Sequence, residues 1–254
     1  MTNTALELSL VIPAYNEQKL IGSTLEVLIQ FLEKRQLLFE ILVVDDGSLD
    51  KTPQIAMQFS KDQPYVRLLA QPSNMGKGRA IQRGVMESKG KFILFMDADL
   101  PYNLDAIDSI LTALRGDYDL AIGSRHLEGS EVRDIPVLRY LAGQIFSWLV
   151  GILMFPGIHD TQCGFKGFRA EAAKNIFKLL TIKKFGFDVE VLYIARKLKY
   201  SILQVPVKMM GFRYDSRIKV LRDSGRMFLD LFTIRLNDWQ GKYDLEDRKI
   251  IRRI

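Results

Sequence analysis

Short apolar segments alternate with amphipathic segments along the first half of the chain, and this alternation limits the fold more than any other feature. The segments LSLVI, FEILVV and FILFM are almost entirely apolar and rich in Val, Ile, Leu and Phe. Such runs are typical of strands that are buried on both faces of a parallel sheet. The residues between them place apolar side chains at helical spacing. We therefore predict an α/β fold with a mostly parallel, Rossmann-like sheet that carries helices on both faces.

The same patterns predict where the elements begin and end. Strands are predicted at residues 8–12, 39–44, 66–70, 92–96, 120–123 and 203–207. Helices are predicted at residues 17–35, 51–60, 77–88, 104–114, 170–180, 186–198 and 223–238, and a loop with a short strand at 160–169. The strand at 203–207 is predicted to lie at a sheet edge, because Pro206 lacks the N–H group that a central strand would use.

The composition excludes several classes of protein. Apolar residues make up 48% and charged residues 26% of the 254 residues, which is typical of a globular chain and not of a disordered one. The single cysteine, Cys163, excludes an internal disulfide and a cysteine-rich zinc site. The first residues lack the basic start and long apolar stretch of a signal peptide, so we expect a protein that faces the cytosol.

Polar residues follow several predicted strands at the point where each strand ends. Glu17 follows the first strand, Asp46 the second and Arg125 the fifth, and Asp97 and Asp99 follow the fourth. The carboxyl ends of strands in an open parallel sheet form the edge at which ligands bind. We therefore expect these side chains to lie together in one site.

Asp97 and Asp99 are the candidate metal ligands. Two carboxylates separated by one residue can share a divalent cation, and hard oxygen ligands favour Mg²⁺ or Mn²⁺, which can also hold a diphosphate. The alternative is a polar strand end or a helix cap.

The other motifs allow both a structural and a functional interpretation. The segment DDGS at 45–48 is either a turn or a site where Asp46 accepts a hydrogen bond from a nucleotide base. The loop NMGKG at 74–78 either exposes Lys77 to solvent or holds phosphate at a helix N-terminus, although its spacing is not that of an ATPase P-loop.

The ordered motifs resemble those of family 2 glycosyltransferases with the GT-A fold. They are IPAYNE, VVDDGS, NMGKGRAIQRG, MDADL and IGSR, and the later segments DTQCGFKGF, FDVEVLYIA and VPVKM resemble dolichyl-phosphate β-glucosyltransferases. The resemblance implies inverting transfer of a hexose, expected to be glucose from UDP-glucose, to dolichyl or polyprenyl phosphate. Transfer of mannose from GDP-mannose is one alternative, and a nucleotide-binding α/β module without enzymatic activity is another.

The resemblance also implies roles for residues at matching positions. The nucleotide sugar would be held by Pro13, Tyr15, Glu17, Val44, Asp46 and Ala98. The catalytic residues would be Asp97, Asp99 and Arg125, with Asp97 and Asp99 also binding Mg²⁺ or Mn²⁺. The phosphates of donor and acceptor would be gathered by Arg125, Arg213 and Lys219. Pro101 stands where the related mannosyltransferases often have a Gln metal ligand, and this departure favours the glucosyltransferases.

A polyprenyl phosphate acceptor stays in the bilayer, so the resemblance implies a membrane partner. We assign residues 1–241 to one GT-A domain and 242–254 to a charged tail, which is expected to be a solvated helix or disordered. Within the domain, 136–156 is predicted to be an amphipathic helix in the membrane interface. The alternatives are a buried core helix and, for the uncharged run 140–158, a membrane span. The segment 213–238 is predicted to be the acceptor-side segment. We expect a peripheral or monotopic protein on the cytoplasmic face of a membrane.

The location of the positive charge supports this assignment over nucleic-acid binding. The net charge is +6, and residues 196–226 alone contain nine Lys or Arg and two Asp. Such a basic segment beside an uncharged helix suits an anionic lipid head group. No nucleic-acid partner is expected, and a homo-oligomer with contacts through 136–156 stays open.

Overall fold

The computed structural model of the chain describes residues 6–132, 150, 151, 154, 157, 158, 160–184, 186–209 and 220–245. Its strands are β1 (Leu8–Ala14), β2 (Phe39–Asp45), β3 (Val66–Ala70), β4 (Phe92–Phe95), β5 (Leu120–Ser124), β6 (Glu131–Val132), β7 (Lys166–Arg169), β8 (Ile202–Pro206) and β9 (Lys208–Met209). Its helices are α1 (Ile21–Lys34), α2 (Thr52–Asp62), α3 (Lys77–Glu87), α4 (Ala106–Arg115), α5 (Ala170–Leu179), α6 (Phe187–Lys197) and α7 (Val220–Trp239).

The main sheet of the described residues is mixed and mostly parallel. Its seven strands lie in the order β3-β2-β1-β4-β7-β5-β8, and β7 alone among them runs antiparallel to its neighbours. β8 lies at an edge, as Pro206 predicts. The predicted α/β fold with a mostly parallel sheet is therefore confirmed. The short strand predicted within 160–169 lies inside the sheet, between β4 and β5.

The first strand was predicted to end at residue 12, before Pro13. In the structure β1 continues through Pro13 to Ala14. Ala14 turns its carbonyl towards β2, where it accepts a hydrogen bond of 2.8 Å from the amide of Asp46. Since alternate residues of a strand face opposite neighbours, position 13 faces the side of β4. β4 ends at Phe95, which pairs with Val11, so the missing N–H group of Pro13 removes no sheet hydrogen bond.

Two apolar layers enclose the sheet and hold its strands in register. On one face α1, α2 and α4 pack over side chains such as Leu10, Ile12 and Ile41. On the other face α3, α5, α6 and α7 pack over the alternate side chains, including Val11 and Leu42. This two-residue alternation explains why the strands lack a polar face in the sequence.

The C-terminal boundary differs from the prediction of a solvated tail that begins at residue 242. Tyr243 is fully buried, and its hydroxyl donates a hydrogen bond of 2.6 Å to Oε1 of Glu190 in α6. Residues 246–254 lie outside the described residues, as do Arg213 and Lys219. The predicted interface helix 136–156 also lies outside them, apart from Val150, Gly151 and Met154. No helix among the described residues has the length and apolarity needed to cross a bilayer.

Candidate active site

The loops that follow β1, β2 and β4 meet at the carboxyl edge of the sheet and hold one another there. The amide of Glu17 donates to Oγ1 of Thr52 over 2.7 Å, which links the loop after β1 to the start of α2. Thr24 in α1 donates to the carbonyl of Ala98 over 2.5 Å, which fixes the loop after β4. These bonds bring the predicted strand-end residues to a single edge.

Asp97 and Asp99 lie at this edge beside a lysine. Nζ of Lys77 is 2.5 Å from Oδ1 of Asp97. Burial alone would lower the pKa of Lys77, but the charges of Asp97, Asp188 and Asp99 outweigh it and raise that pKa. Loss of solvation raises the pKa of Asp99, and the nearby charge of Asp97 raises it further. The ammonium of Lys77 and the two carboxylates therefore form one electrostatically coupled group.

The residues at this edge fit a divalent cation, with Asp99 as the more open ligand. Oδ1 of Asp97 contacts Lys77 and Gly164 lies against its Oδ2, whereas Asp99 is exposed. Nowhere among the described residues do three or more His, Cys, Asp or Glu side chains gather in a metal-binding group. A cation at Asp99 would thus take its other ligands from Asp97, a diphosphate or water, which suits Mg²⁺ or Mn²⁺.

Asp46 is a buried anchor for the loop that leads to Lys77. Its Oδ1 accepts hydrogen bonds from Nε2 of Gln71 over 2.6 Å and from the amide of Met75 over 2.8 Å. Its Oδ2 accepts one from the amide of Gly76 over 2.9 Å, which leaves that oxygen one further acceptor position. Burial raises the pKa of Asp46 in spite of these bonds. The carboxylate therefore positions the loop that leads to Lys77.

Arg125 is held by the buried Asp160. Nε and Nη2 of Arg125 lie 2.7 and 2.9 Å from Oδ2 and Oδ1 of Asp160, and the Arg125 amide also donates to Oδ2. Burial would raise the pKa of Asp160, but the guanidinium of Arg125 outweighs it and lowers that pKa to about 2. The pair fixes the guanidinium plane, and Nη1 takes no part in it. Arg125 can therefore present Nη1 to a phosphate.

The remaining predicted nucleotide contacts differ in how they are placed. Tyr15 and Glu17 are half-buried in the loop after β1, and Ala98 is buried in the loop after β4. The side chain of Val44 is fully buried in the apolar layer beneath α3. Only the backbone of Val44 can therefore face the edge.

A model of the glycosyl transferase family 2 matches residues 9–177, which contain β1 to β5 and the carboxylates just described. The chain belongs to glycosyltransferase family 2. Its membership confirms the family predicted from the ordered motifs.

Several relatives match this glycosyltransferase over nearly its whole length. Dolichyl-phosphate β-glucosyltransferase ALG5C of Trichomonas vaginalis is 37% identical, over 94% of this chain and 73% of that protein. The human dolichyl-phosphate β-glucosyltransferase is 35% identical, over 96% of this chain and 79% of that protein. The protein of that name from Dictyostelium discoideum is 36% identical, over 94% and 77%.

Solved structures share the fold of this glycosyltransferase. Glucosyl-3-phosphoglycerate synthase from Mycobacterium tuberculosis, in complex with Mn²⁺ and UDP-glucose, superposes with a TM-score of 0.66 over 90% of this chain and 79% of that chain, at 17% identity. Mannosyl-3-phosphoglycerate synthase from Rubrobacter xylanophilus superposes with a TM-score of 0.63 over 93% of this chain and 76% of that chain, at 18% identity. At this identity the likeness establishes the fold, and it confirms the GT-A prediction.

A buried ion pair behind the site of this glycosyltransferase was not predicted. Nζ of Lys166 in β7 lies 2.5 Å from Oδ1 of Asp188 in α6 and donates to the carbonyl of Cys163 over 2.6 Å. Burial raises the pKa of Asp188, although the charges of Lys166 and Lys77 lower it. Lys166, Asp188, Lys77 and Asp97 thus form a row of alternating charges that leads from the core to the site edge. A lysine inside CGFKGF and an aspartate inside FDVEVL, each in an apolar segment, were the available sequence signals.

Cys163 is expected to be unreactive in the folded glycosyltransferase. Its thiol is fully buried, and burial raises its pKa to about 11, so little thiolate is present near neutral pH. Ellman's reagent at pH 8 should label no thiol in the native protein and one per chain after denaturation. Rapid labelling of the native protein at this one cysteine would contradict the burial of the loop beside Asp160.

Proposed function

We propose that the protein transfers glucose from UDP-glucose to dolichyl or polyprenyl phosphate with inversion at the anomeric carbon. The observation that carries this proposal is the similarity, over at least 94% of the chain, to three proteins named dolichyl-phosphate β-glucosyltransferase. The strand-end carboxylates, Lys77 and Arg125 supply the charges that such a reaction uses.

The donor diphosphate is proposed to lie at the edge between Asp99 and Arg125. Asp99, with Asp97 as its neighbour, would hold Mg²⁺ or Mn²⁺, and the cation would neutralise charge on the departing diphosphate. Asp160 holds the guanidinium of Arg125 in a fixed orientation, so Arg125 can bind a phosphate of donor or acceptor without losing side-chain freedom. Pro13, Tyr15, Glu17 and Asp46 would surround the nucleoside.

The chemical step needs positioning more than proton transfer. A phosphate monoester has a second pKa of about 6, so the acceptor oxygen is already anionic near pH 7. That oxygen forms a bond to the anomeric carbon from the face opposite the diphosphate, and the bond from this carbon to the diphosphate oxygen breaks with its electron pair. Because no proton has to leave the nucleophile, no general base is required.

The acceptor requires the protein to work at a bilayer surface. We propose a peripheral or monotopic association with the cytoplasmic face of a membrane through the GT-A domain, which extends at least to the buried Tyr243. Arg213 and Lys219 of the segment 213–238 would bind the acceptor phosphate, and 136–156 would contact the interface.

A donor panel tests the proposed function. Purified protein is incubated with dolichyl phosphate, Mg²⁺ or Mn²⁺, and labelled UDP-glucose, GDP-mannose or UDP-N-acetylglucosamine, and lipid is then extracted. We expect label in the lipid from UDP-glucose, and its loss with EDTA. Label from GDP-mannose alone would replace the proposal by a mannosyltransferase, and no labelled lipid with any donor would support a module without enzymatic activity.

A further inference from the structure

Helix α7 has two apolar faces, and only one of them packs against the protein. Leu231 and Ile234 are buried in the apolar layer shared with α6. On the other face five large apolar side chains are exposed, namely Phe228 (39%), Leu229 (64%), Phe232 (62%), Leu236 (50%) and Trp239 (85%). We call these five residues the α7 strip.

The α7 strip is a continuous surface and not a scatter of single residues. With 3.6 residues per turn, its members fall within an arc of about 100° and extend over about 16 Å of helix. The rings of Phe228 and Phe232 contact each other, with centroids 5.4 Å apart at an interplanar angle of 76°. The other exposed large apolar residues of the described chain are spread over several elements. A contiguous apolar surface of this kind marks an interaction site.

Polar contacts hold α7 firmly enough for the strip to act as a surface of the folded domain. The hydroxyl of Tyr193 in α6 donates to Oδ2 of Asp238 over 2.6 Å. Lys197 forms ion pairs with Asp238 and Asp244. Nδ2 of Asn237 donates to Oγ1 of Thr181 over 2.9 Å. The last turn of α7 is therefore tied to α6 and to the segment before it.

The first half of α7 contacts the segment that begins α6, and this segment leads to the candidate active site. A Cβ added at Gly186, just before α6, would clash with the carboxylate of Asp230 in α7. Gly186 is two residues from Asp188, whose charge acts on Lys77. The Phe228 end of the strip is thus the end nearer the site edge, where the acceptor phosphate is proposed to bind.

We propose that the α7 strip docks the protein on an anionic bilayer surface. The aromatic residues Phe228, Phe232 and Trp239 suit the membrane interface, where amphipathic rings collect. Residues 196–226, which lead into α7, contain nine Lys or Arg and two Asp, a charge that anionic lipid head groups complement. A second copy would bring two such basic segments together, which disfavours it as the occupant. The proposal rests on the proposed function for the bilayer-bound acceptor.

The test compares a strip variant with a matched control. The strip variant is Phe232→Gln with Leu236→Gln, and the control is Val27→Gln with Met57→Gln, whose side chains are each 46% exposed on α1 and α2 across the sheet. Both are measured by co-sedimentation with phosphatidylcholine vesicles that contain phosphatidylserine. We expect the wild type and the control to bind the vesicles. The strip variant should bind them at least about tenfold more weakly.

Activity separates docking from chemistry. With dolichyl phosphate in the same vesicles, the strip variant should transfer glucose about tenfold more slowly, whereas with a short water-soluble prenyl phosphate it should match the wild type. Wild-type vesicle binding by the strip variant would overturn the docking proposal. The proposal would also fail if the wild type formed a dimer without lipid and the strip variant were a monomer that bound vesicles as the wild type does. If the wild type binds vesicles through the strip but glucosylates neither acceptor, the proposed function fails and docking stands.

Discussion

Replacing Asp99 by Asn should reduce sugar transfer by roughly 10²- to 10³-fold while the protein remains folded. Asn has the same shape as Asp but no negative charge, so it weakens the hold on a divalent cation and on the leaving diphosphate. Asp99 follows β4 in a surface loop, and the charge of Asp97 beside it raises its pKa. Removing the Asp99 charge therefore relieves a repulsion, and no loss of stability is expected.

The control for Asp99→Asn is Asp105→Asn, which lies in the same segment between β4 and α4. The side chain of Asp105 is 77% exposed and pairs with Arg35 on the surface, so its loss should leave transfer unchanged. Turnover is measured over a range of Mn²⁺ concentrations, together with thermal unfolding. Full activity of Asp99→Asn at every Mn²⁺ concentration would remove Asp99 from the metal site.

The strands could be predicted because the sequence carries their burial pattern locally. β3 spans residues 66–70 as predicted, and β2 exceeds its predicted range by one residue. Strands covered on both faces, such as β2, need apolar residues at nearly every position, and a run of five or six mostly apolar residues between helical segments is typical of a buried strand. The strand-end residues Glu17, Asp46, Asp97 and Arg125 were predicted from the same rule, since parallel strands end at one edge.

Local sequence patterns could not predict that β7 runs antiparallel to its neighbours. β7 is four residues long, and it enters the sheet between β4 and β5, which precede it in the sequence by about 75 and about 45 residues. Its place depends on Gly167, where a Cβ would clash with Ile110 of α4. Complementarity between such distant segments leaves no periodicity in the sequence.

Buried charged partners also escaped prediction because each is decided by a residue far away in the chain. Asp160 is buried where Arg125 pairs with it, and Tyr243 is buried where Glu190 accepts a hydrogen bond from its hydroxyl. From sequence alone, a charged residue in a loop and a tyrosine in a charged tail predict solvent exposure. The sequence likewise predicts that the charged side chains of Lys166 and Asp188 are exposed, whereas both are buried.

Replacing either Lys166 or Asp188 alone should destabilise the protein strongly. Replacing both together should restore stability but not activity. Both side chains are buried, so Lys166→Met leaves an unpaired carboxylate in the core, and Asp188→Asn leaves an unpaired ammonium. Each single variant should lower the free energy of unfolding by about 3–5 kcal/mol. The double variant buries no charge and should recover most of that loss.

Activity of the Lys166→Met/Asp188→Asn double variant should stay reduced although its stability recovers. Asp188 supports the charge of Lys77, whose ammonium lies 2.5 Å from Asp97, so the neutral pair removes a charge that holds Lys77 in place. Unfolding in urea gives the stability of the four proteins, and steady-state kinetics give kcat and the KM for UDP-glucose. We expect a higher KM in the double variant than in the wild type. If the double variant recovered both the stability and the KM of the wild type, the Lys166–Asp188 pair would serve folding alone. Its charges would then have no effect on UDP-glucose binding.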